Sequence, residues 1–150
     1  GGVVLAGLRF APMLPDVLSL PLTLLWIIGV TNALNLLDNM DGLAGGTGAV
    51  IAGACAVLAV LAGLPQLAVL SGALAGACLG YLPFNYRRAR VFMGDAGSLP
   101  LGFLVSVLAL AVGDALAPSL PVAAAVLLPV LLCALPIVDT TLVTVSRIRT

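Results

Sequence analysis

Residues 31–43 read Thr-Asn-Ala-Leu-Asn-Leu-Leu-Asp-Asn-Met-Asp-Gly-Leu, and this stretch decides how the rest of the chain is interpreted. Its polar residues Asn32, Asn35, Asp38 and Asp41 recur at every third position, and residues three apart are neighbours on adjacent turns of a helix. The pattern predicts a polar stripe at the end of a long apolar helix. Such groups are costly to bury unless a cation or a polar ligand pairs with them. We therefore interpret the stretch as half of an active site at a membrane surface.

The composition excludes an ordinary soluble domain. Of the 150 residues, 62% are hydrophobic and only 8% are charged, against roughly 25% charged residues in typical soluble domains. The mean hydropathy is +1.26, which indicates an all-α, polytopic membrane protein. The net charge is zero, so the composition gives no sign of a nucleic-acid partner. The three cysteines lie far apart in apolar runs, where they are expected to act as small packing residues.

Runs of apolar residues divide the chain into five predicted transmembrane helices within a single membrane-embedded domain. About 20 apolar residues are needed to cross a bilayer core, and the predicted spans cover residues 18–37, 43–62, 67–84, 98–116 and 120–145. Gly72, Gly76 and Gly80 repeat at every fourth position of the third span, which favours a close helix-packing face. Pro129 and Pro136 interrupt the fifth span and predict a kink.

The order of the spans predicts which polar segments share a side of the membrane. Alternating crossings place the 31–43 stretch, a polar loop at 85–97 and Asp139 on one side, together with five of the six arginines. Positive residues mark the cytoplasmic side of a membrane protein. We therefore expect a multi-pass membrane protein whose active site faces the cytoplasm.

A second unusual stretch, Val-Phe-Met-Gly-Asp-Ala-Gly-Ser at residues 91–98, lies in that polar loop. Asp95 or Ser98 would serve as the N-cap of the fourth helix in one interpretation, and Asp95 would be a metal ligand in the other. With no histidine and no clustered cysteine, the ligand types favour Mg²⁺ over zinc. Arg87 and Arg88 would bind either a substrate phosphate or anionic lipid headgroups.

Three motifs, in this order, resemble those of a known enzyme family. They are Asn32-x-x-Asn35-x-x-Asp38-x-x-Asp41-Gly-Leu, Val91-Phe-Met-Gly-Asp95-x-Gly-Ser98 and Pro136-Ile-x-Asp139-Thr. The family is the polyprenyl-phosphate N-acetylhexosamine-1-phosphate transferases of glycosyltransferase family 4. The resemblance implies transfer of a sugar 1-phosphate from a UDP-sugar to a polyprenyl phosphate such as undecaprenyl phosphate, with release of UMP. It also implies a requirement for Mg²⁺, for which Mn²⁺ is an alternative.

The resemblance implies a role for each matching residue. Asp95 would bind the metal, with Asn35 beside the metal and the diphosphate, and Asp38 would lie on the nucleotide side of the catalytic pocket. Further residues are expected to bind substrate, with Asp41 near uracil and Phe92 stacked on it: Asn32, Asp41, Asn85, Phe92, Arg87 and Arg88.

The chain also departs from the family. The paired aspartates of a loop nearer the N-terminus are missing, as is a histidine-containing loop that would follow Arg149. We therefore expect an internal-to-C-terminal fragment that is inactive alone. The resemblance to this family is also compatible with a homodimer.

The sequence Leu-Leu-Asp-Asn-Met-Asp-Gly at residues 36–42 favours the enzymes that catalyse the first step in the synthesis of teichoic acid, O-antigen or other surface glycans from UDP-N-acetylglucosamine. The alternative branch transfers phospho-N-acetylmuramoyl-pentapeptide in peptidoglycan synthesis. Outside this family, an ion- or proton-translocating fragment and a catalytically inactive membrane scaffold remain open.

Overall fold

The computed structural model describes residues 8–10, 15–86 and 89–149, and the regular structure in these ranges is helical. Within these described ranges, six α-helices follow one another, with a short 3₁₀ turn at Ala117–Ser119 between the fourth and the fifth. The helices are α1 (Asp16–Leu37), α2 (Leu43–Leu61), α3 (Pro65–Asn85), α4 (Gly94–Leu116), α5 (Val122–Leu132) and α6 (Ala134–Arg149).

Four of these helices, α1 to α4, are long and apolar enough to cross a membrane, and α5 with α6 passes the same test as one bent span. Large apolar side chains remain exposed on the outer faces, such as Leu25 on α1 and Val69 on α3. These faces are suited to contact with lipid. The protein is thus an all-α, polytopic membrane protein, as its composition predicts.

The helices pack as two principal pairs. A tight turn joins α2 to α3: Gly63 has φ +69°, and Leu64 N–H donates to the carbonyl of Ala59 at 2.8 Å, a common helix-ending arrangement. The second pair is α1 with α4, where Gly102 lets the two backbones approach closely. A Cβ atom built on Gly102 would lie only 2.7 Å from Thr31 Cα.

The fifth span is bent by 69° between α5 and α6. The break falls at Cys133, and Pro136 explains it, because a proline has no N–H to donate to the carbonyl four residues earlier, that of Leu132. The kink predicted from the prolines is therefore present, three residues before Pro136.

The predicted polar stripe is only partly helical. The first helix ends at Leu37, where the predicted first span also ends, so the stripe does not continue along it: only Asn32 and Asn35 are helical, whereas Asp38 is the C-cap and Asp41 lies in the following turn. This turn is closed by Gly42, whose φ of +75° is readily adopted only by glycine. The fourth helix begins at Gly94 rather than at residue 98, so Asp95 lies in its first turn and not in the loop.

Candidate active site

The two polar motifs meet at one end of the helix bundle. Asn35, in the last turn of α1, donates from Nδ2 to Asp95 Oδ1 at 2.9 Å and to Ser98 Oγ at 2.8 Å. Sixty residues of sequence separate Asn35 from Asp95. The contact therefore depends on the packing of α1 against α4, which brings the two motifs together as the order of the spans predicts.

Ser98 anchors this contact from inside the bundle. Its side chain is fully buried, and its Oγ donates to the carbonyl of Gly94 at 2.9 Å while it accepts from Asn35. The N-cap of α4 is Met93, and no side chain caps this helix end. The interpretation of Asp95 or Ser98 as the N-cap is therefore wrong. Asp95 instead lies exposed in the first turn, where a negative charge interacts favourably with the helix dipole.

Asp38 lies beside this cluster and is half-buried. Burial raises the pKa of its carboxyl group, a hydrogen bond from the backbone of Gly94 lowers that pKa, and the charge of Asp95 raises it. Two carboxylates thus influence each other across the ends of α1 and α4. A cation bound near both would relieve this repulsion.

A second set of contacts ties the α1–α2 turn to the loop that precedes α4. Asp41 Oδ2 accepts a hydrogen bond from Ala89 N–H at 3.0 Å. The neighbouring Gly42 N–H donates to Asn85 Oδ1 at 2.8 Å, and Asn85 Nδ2 donates to the carbonyl of Val91 at 2.9 Å. Asn85, at the end of α3, therefore joins the distant α1–α2 turn to the loop that follows α3.

The structure buries Asn85, whereas the predicted substrate-binding residues Asn32, Asp41 and Phe92 are exposed. Its side chain is only 3% exposed, and both ends of its amide contact the backbone. Its predicted role at a nucleoside remains a prediction, but its observed contacts hold the loop. Sequence reasoning missed Tyr81, whose hydroxyl donates to the carbonyl of Val91 at 3.1 Å. Tyr81 and Asn85 are four residues apart and therefore lie on one face of α3, and this spacing could have indicated that they contact the same segment.

The remaining predicted residues have different surroundings. Phe92 is 73% exposed at the same end of the bundle. Asn32 is exposed and lines a groove with Leu99 and Phe103, one turn away from Asn35. Arg87 and Arg88 lie outside the described residues, so their predicted phosphate contacts have no structural counterpart here.

Asp139 borders an apolar groove of about 510 Å³ between α6 and the α1–α2 turn. Leu37 and Leu43 line the wall of this groove that belongs to α1, α2 and their turn. The groove thus brings Asp139, from the third motif, and Leu37, which directly precedes Asp38, into the lining of one cavity.

The available ligands restrict the kind of cation that fits. Within the described ranges, no group of three or more His, Cys, Asp or Glu side chains is arranged to hold a metal ion. Asp95 and Asp38 supply carboxylate oxygens, and Asn35, which donates through Nδ2, retains Oδ1 as an acceptor. One or two carboxylates with few other protein ligands suit Mg²⁺, which keeps several waters and takes oxygens from substrate phosphates.

The fold and the site define a multi-pass membrane protein with carboxylate and amide groups gathered at one end of its helices. The sequence model described as "Glycosyl transferase family 4" matches residues 4–113. The chain belongs to this family.

Three curated relatives illustrate the similarity. The chain is 39% identical over 131 residues to a "Probable undecaprenyl-phosphate N-acetylglucosaminyl 1-phosphate transferase" of Bacillus subtilis, covering 87% of this chain and 36% of the relative. It is 58% identical over 52 residues (35% of the chain, 15% of the relative) to a "Phospho-N-acetylmuramoyl-pentapeptide-transferase" of a Synechococcus species. It is 56% identical over 39 residues (26% and 10%) to a "Decaprenyl-phosphate N-acetylglucosaminephosphotransferase" of Mycobacterium tuberculosis. The chain thus spans about a third of the length of the first of these relatives.

Proposed function

We propose that this chain forms part of the active site of a transferase that moves N-acetylglucosamine 1-phosphate from its UDP derivative to a polyprenyl phosphate. In this reaction a phosphate oxygen of the lipid forms a bond to the sugar-linked phosphorus of the donor. The bond from that phosphorus to the oxygen bridging the two phosphates breaks, and UMP leaves. The products are a polyprenyl diphosphate sugar and UMP.

One observation carries the proposal. The hydrogen bond from Asn35 to Asp95 brings two distant motifs into one cluster, and both residues occupy motif positions that the family resemblance assigns to a metal and a diphosphate. Asp38 adds a second carboxylate, and Phe92 exposes an aromatic face beyond the cluster. This combination suits a ligand with phosphates at one end and a base at the other.

We propose Asp95 and the Oδ1 atom of Asn35 as the ligands of Mg²⁺, with Mn²⁺ as a substitute. A bound divalent cation would neutralise the charge of the donor diphosphate during phosphoryl transfer. The residues of the chain set the geometry: Ser98 and Asp95 hold the amide of Asn35, and Asp38 places a further negative group at the same rim. Asp41 supports the nucleotide side through the loop that it holds.

We further propose that this end of the bundle faces the cytoplasm of a bacterial cell, at its inner membrane. The exposed Arg90 and Arg147 support this orientation, because positive residues favour the cytoplasmic side. UDP-sugars are made in the cytoplasm, so a donor site at that face would have access to its substrate. Labelling of single cysteines at positions 90 and 114 in intact cells and in lysed cells would test the orientation.

The match to the Bacillus subtilis relative favours N-acetylglucosamine as the sugar, because this similarity extends over 87% of the chain. A second candidate donor is UDP-N-acetylmuramoyl-pentapeptide. The shorter and more identical match to the Synechococcus relative supports this alternative. The two candidates differ only in the donor, so one assay distinguishes them.

The decisive experiment uses the complete gene product in detergent, with labelled UDP-N-acetylglucosamine, undecaprenyl phosphate and Mg²⁺. We expect label in the extracted lipid, loss of this label with EDTA, and recovery when Mg²⁺ or Mn²⁺ is restored. Transfer only from the muramoyl-pentapeptide donor would select the second candidate. No transfer from either donor would contradict the proposal. Residues 1–150 expressed alone should give no transfer, because they span about a third of the relative.

A matched pair of substitutions tests the cluster itself. Asp95→Asn should reduce transfer at least a hundredfold, because it removes a charge from the proposed metal site. Asp114→Asn makes the same chemical change on the same helix, about 28 Å away at 1.5 Å per residue, and should leave transfer within twofold of the wild type. Equal losses in both variants would indicate a general effect on folding rather than a role for Asp95.

A further inference from the structure

The carbonyl of Val91 is held from several directions. Tyr81 Oη donates to it at 3.1 Å and Asn85 Nδ2 at 2.9 Å. The same short segment is also fixed through its N–H groups, because those of Arg90 and Val91 donate to the carbonyl of Phe84 at 2.9 and 3.2 Å. The loop is therefore pinned to the end of α3 immediately before Phe92.

One hydrogen-bond donor would be enough to satisfy the Val91 carbonyl, yet two side chains donate to it. Val91 is 47% exposed, and at an exposed position water can serve as the donor to a backbone carbonyl. Two side-chain donors on one carbonyl fix its direction, whereas water would leave it free to rotate. The arrangement therefore favours a function in orienting the residues that follow.

The position of Tyr81 is itself determined by α2. A Cβ atom on Gly45 would lie 3.1 Å from Cδ1 of the Tyr81 ring, so the absence of a side chain at Gly45 makes room for this ring. Tyr81 and Asn85 lie on the same face of α3. The packed pair of α2 and α3 thus holds both donors beside the loop, and it fixes the position of the Tyr81 hydroxyl.

Only Phe92 and Met93 separate the pinned carbonyl from the start of α4. The Val91 carbonyl and the Phe92 N–H belong to one planar peptide unit, so a fixed carbonyl restricts the directions in which the Phe92 side chain can leave the backbone. We propose that Tyr81 is a positioning residue that acts with Asn85 through the Val91 carbonyl to aim the Phe92 ring at the base of the nucleotide donor. This inference rests on the proposed function, and it adds a determinant of donor affinity.

The test is Tyr81→Phe in the complete gene product, which removes the hydroxyl and keeps the ring against Gly45. One of two donors is lost, so we expect a rise of about 3- to 10-fold in the KM for the UDP-sugar, the range that follows from losing one ordinary hydrogen bond. The kcat, the KM for the lipid and the melting temperature should stay within twofold and 2 °C of the wild type. Ser106→Ala, which also removes a hydroxyl that donates to a backbone carbonyl, is the control and should not change the donor KM.

Repeating the Tyr81→Phe change in a protein that already carries Phe92→Ala shows whether Tyr81 acts through Phe92. In Phe92→Ala, the further change Tyr81→Phe should alter the donor KM by less than twofold, because the ring that it positions is gone. An undiminished effect in that background, or a fall in kcat with unchanged donor KM, would overturn the inference. A wild-type donor KM in Tyr81→Phe would overturn it while transfer itself supports the proposed function. No transfer by the wild-type protein from either donor would overturn both.

Discussion

Gly102 offers a sharp test of how helix packing supports the candidate site. It lies on α4 one turn after Ser98, opposite Thr31, which lies on α1 one turn before Asn35. The contact between Gly102 and Thr31 is therefore one turn away from the hydrogen bonds of Asn35. Gly102→Ala would place a Cβ atom 2.7 Å from Thr31 Cα and 3.0 Å from its carbonyl oxygen. Both are backbone atoms, so they cannot rotate away.

The expected displacement follows from these distances. Carbon atoms in contact prefer a separation of about 3.5–4.0 Å, so α1 and α4 must separate by about 1 Å at this level. The same shift at Asn35 would lengthen its 2.9 Å bond to Asp95 to about 3.9 Å, beyond hydrogen-bonding distance. Overpacking lowers the free energy of unfolding by about 1–3 kcal/mol, whereas replacing glycine by alanine inside a helix raises it by about 1 kcal/mol. The net loss of stability should therefore be about 0–2 kcal/mol, whereas the site loses its central contact.

The assay compares transfer by the complete gene product and its Mg²⁺ dependence in the wild type and in Gly102→Ala. We expect at least a tenfold lower kcat/KM and a higher Mg²⁺ concentration for half-maximal rate, with a melting temperature within a few degrees of the wild type. Gly53→Ala is the matched control, because a Cβ atom there would meet nothing within 4 Å, and it should behave as the wild type. Transfer by Gly102→Ala within twofold of the wild type would refute the reasoning.

Three further substitutions test separate parts of the structure. Ser98→Ala removes the buried acceptor of Asn35, and it should lower the transfer rate about 2- to 10-fold, the value of one hydrogen bond; an unchanged rate would count against the anchoring role. Gly42→Ala forces a side chain into a backbone with φ +75°, and it should destabilise the protein by about 1–3 kcal/mol, which thermal unfolding in detergent would detect as a lower melting temperature. Pro136→Ala restores an N–H that can reach the carbonyl of Leu132, and it should reduce the 69° bend; spin labels at the far ends of α5 and α6 would then move apart, and an unchanged distance would assign the bend to another cause.

Hydropathy was sufficient to predict the class of fold. A chain with 62% hydrophobic residues has few options in lipid, because helices satisfy their backbone hydrogen bonds internally. The order of the spans then predicted that Asn35 and Asp95 would lie at the same end. Their contact follows from that order and from the tight packing of α1 against α4.

The boundaries were less predictable because local and tertiary signals compete there. The three-residue spacing suggested that the polar stripe stays helical to Asp41, beyond the predicted span, yet the helix ends at Leu37 and the α1–α2 turn follows. Asp95 resembled a loop residue because glycines flank it, yet α4 begins at Gly94. The partners of Asn85 could not be predicted, since the Gly42 N–H and the Val91 carbonyl are backbone groups brought to it by the fold.

The site combines two kinds of support that should respond differently to mutation. Asn35, Ser98 and Asp95 lie on helix ends whose relative position depends on the packing of α1 against α4. Phe92, in contrast, follows a loop held by hydrogen bonds from α3. A change at the helix contact should therefore alter the Mg²⁺ dependence and the rate, whereas a change at the loop should alter donor affinity. If Gly102→Ala and Tyr81→Phe shift the same kinetic parameter, the two supports are coupled and this division is wrong.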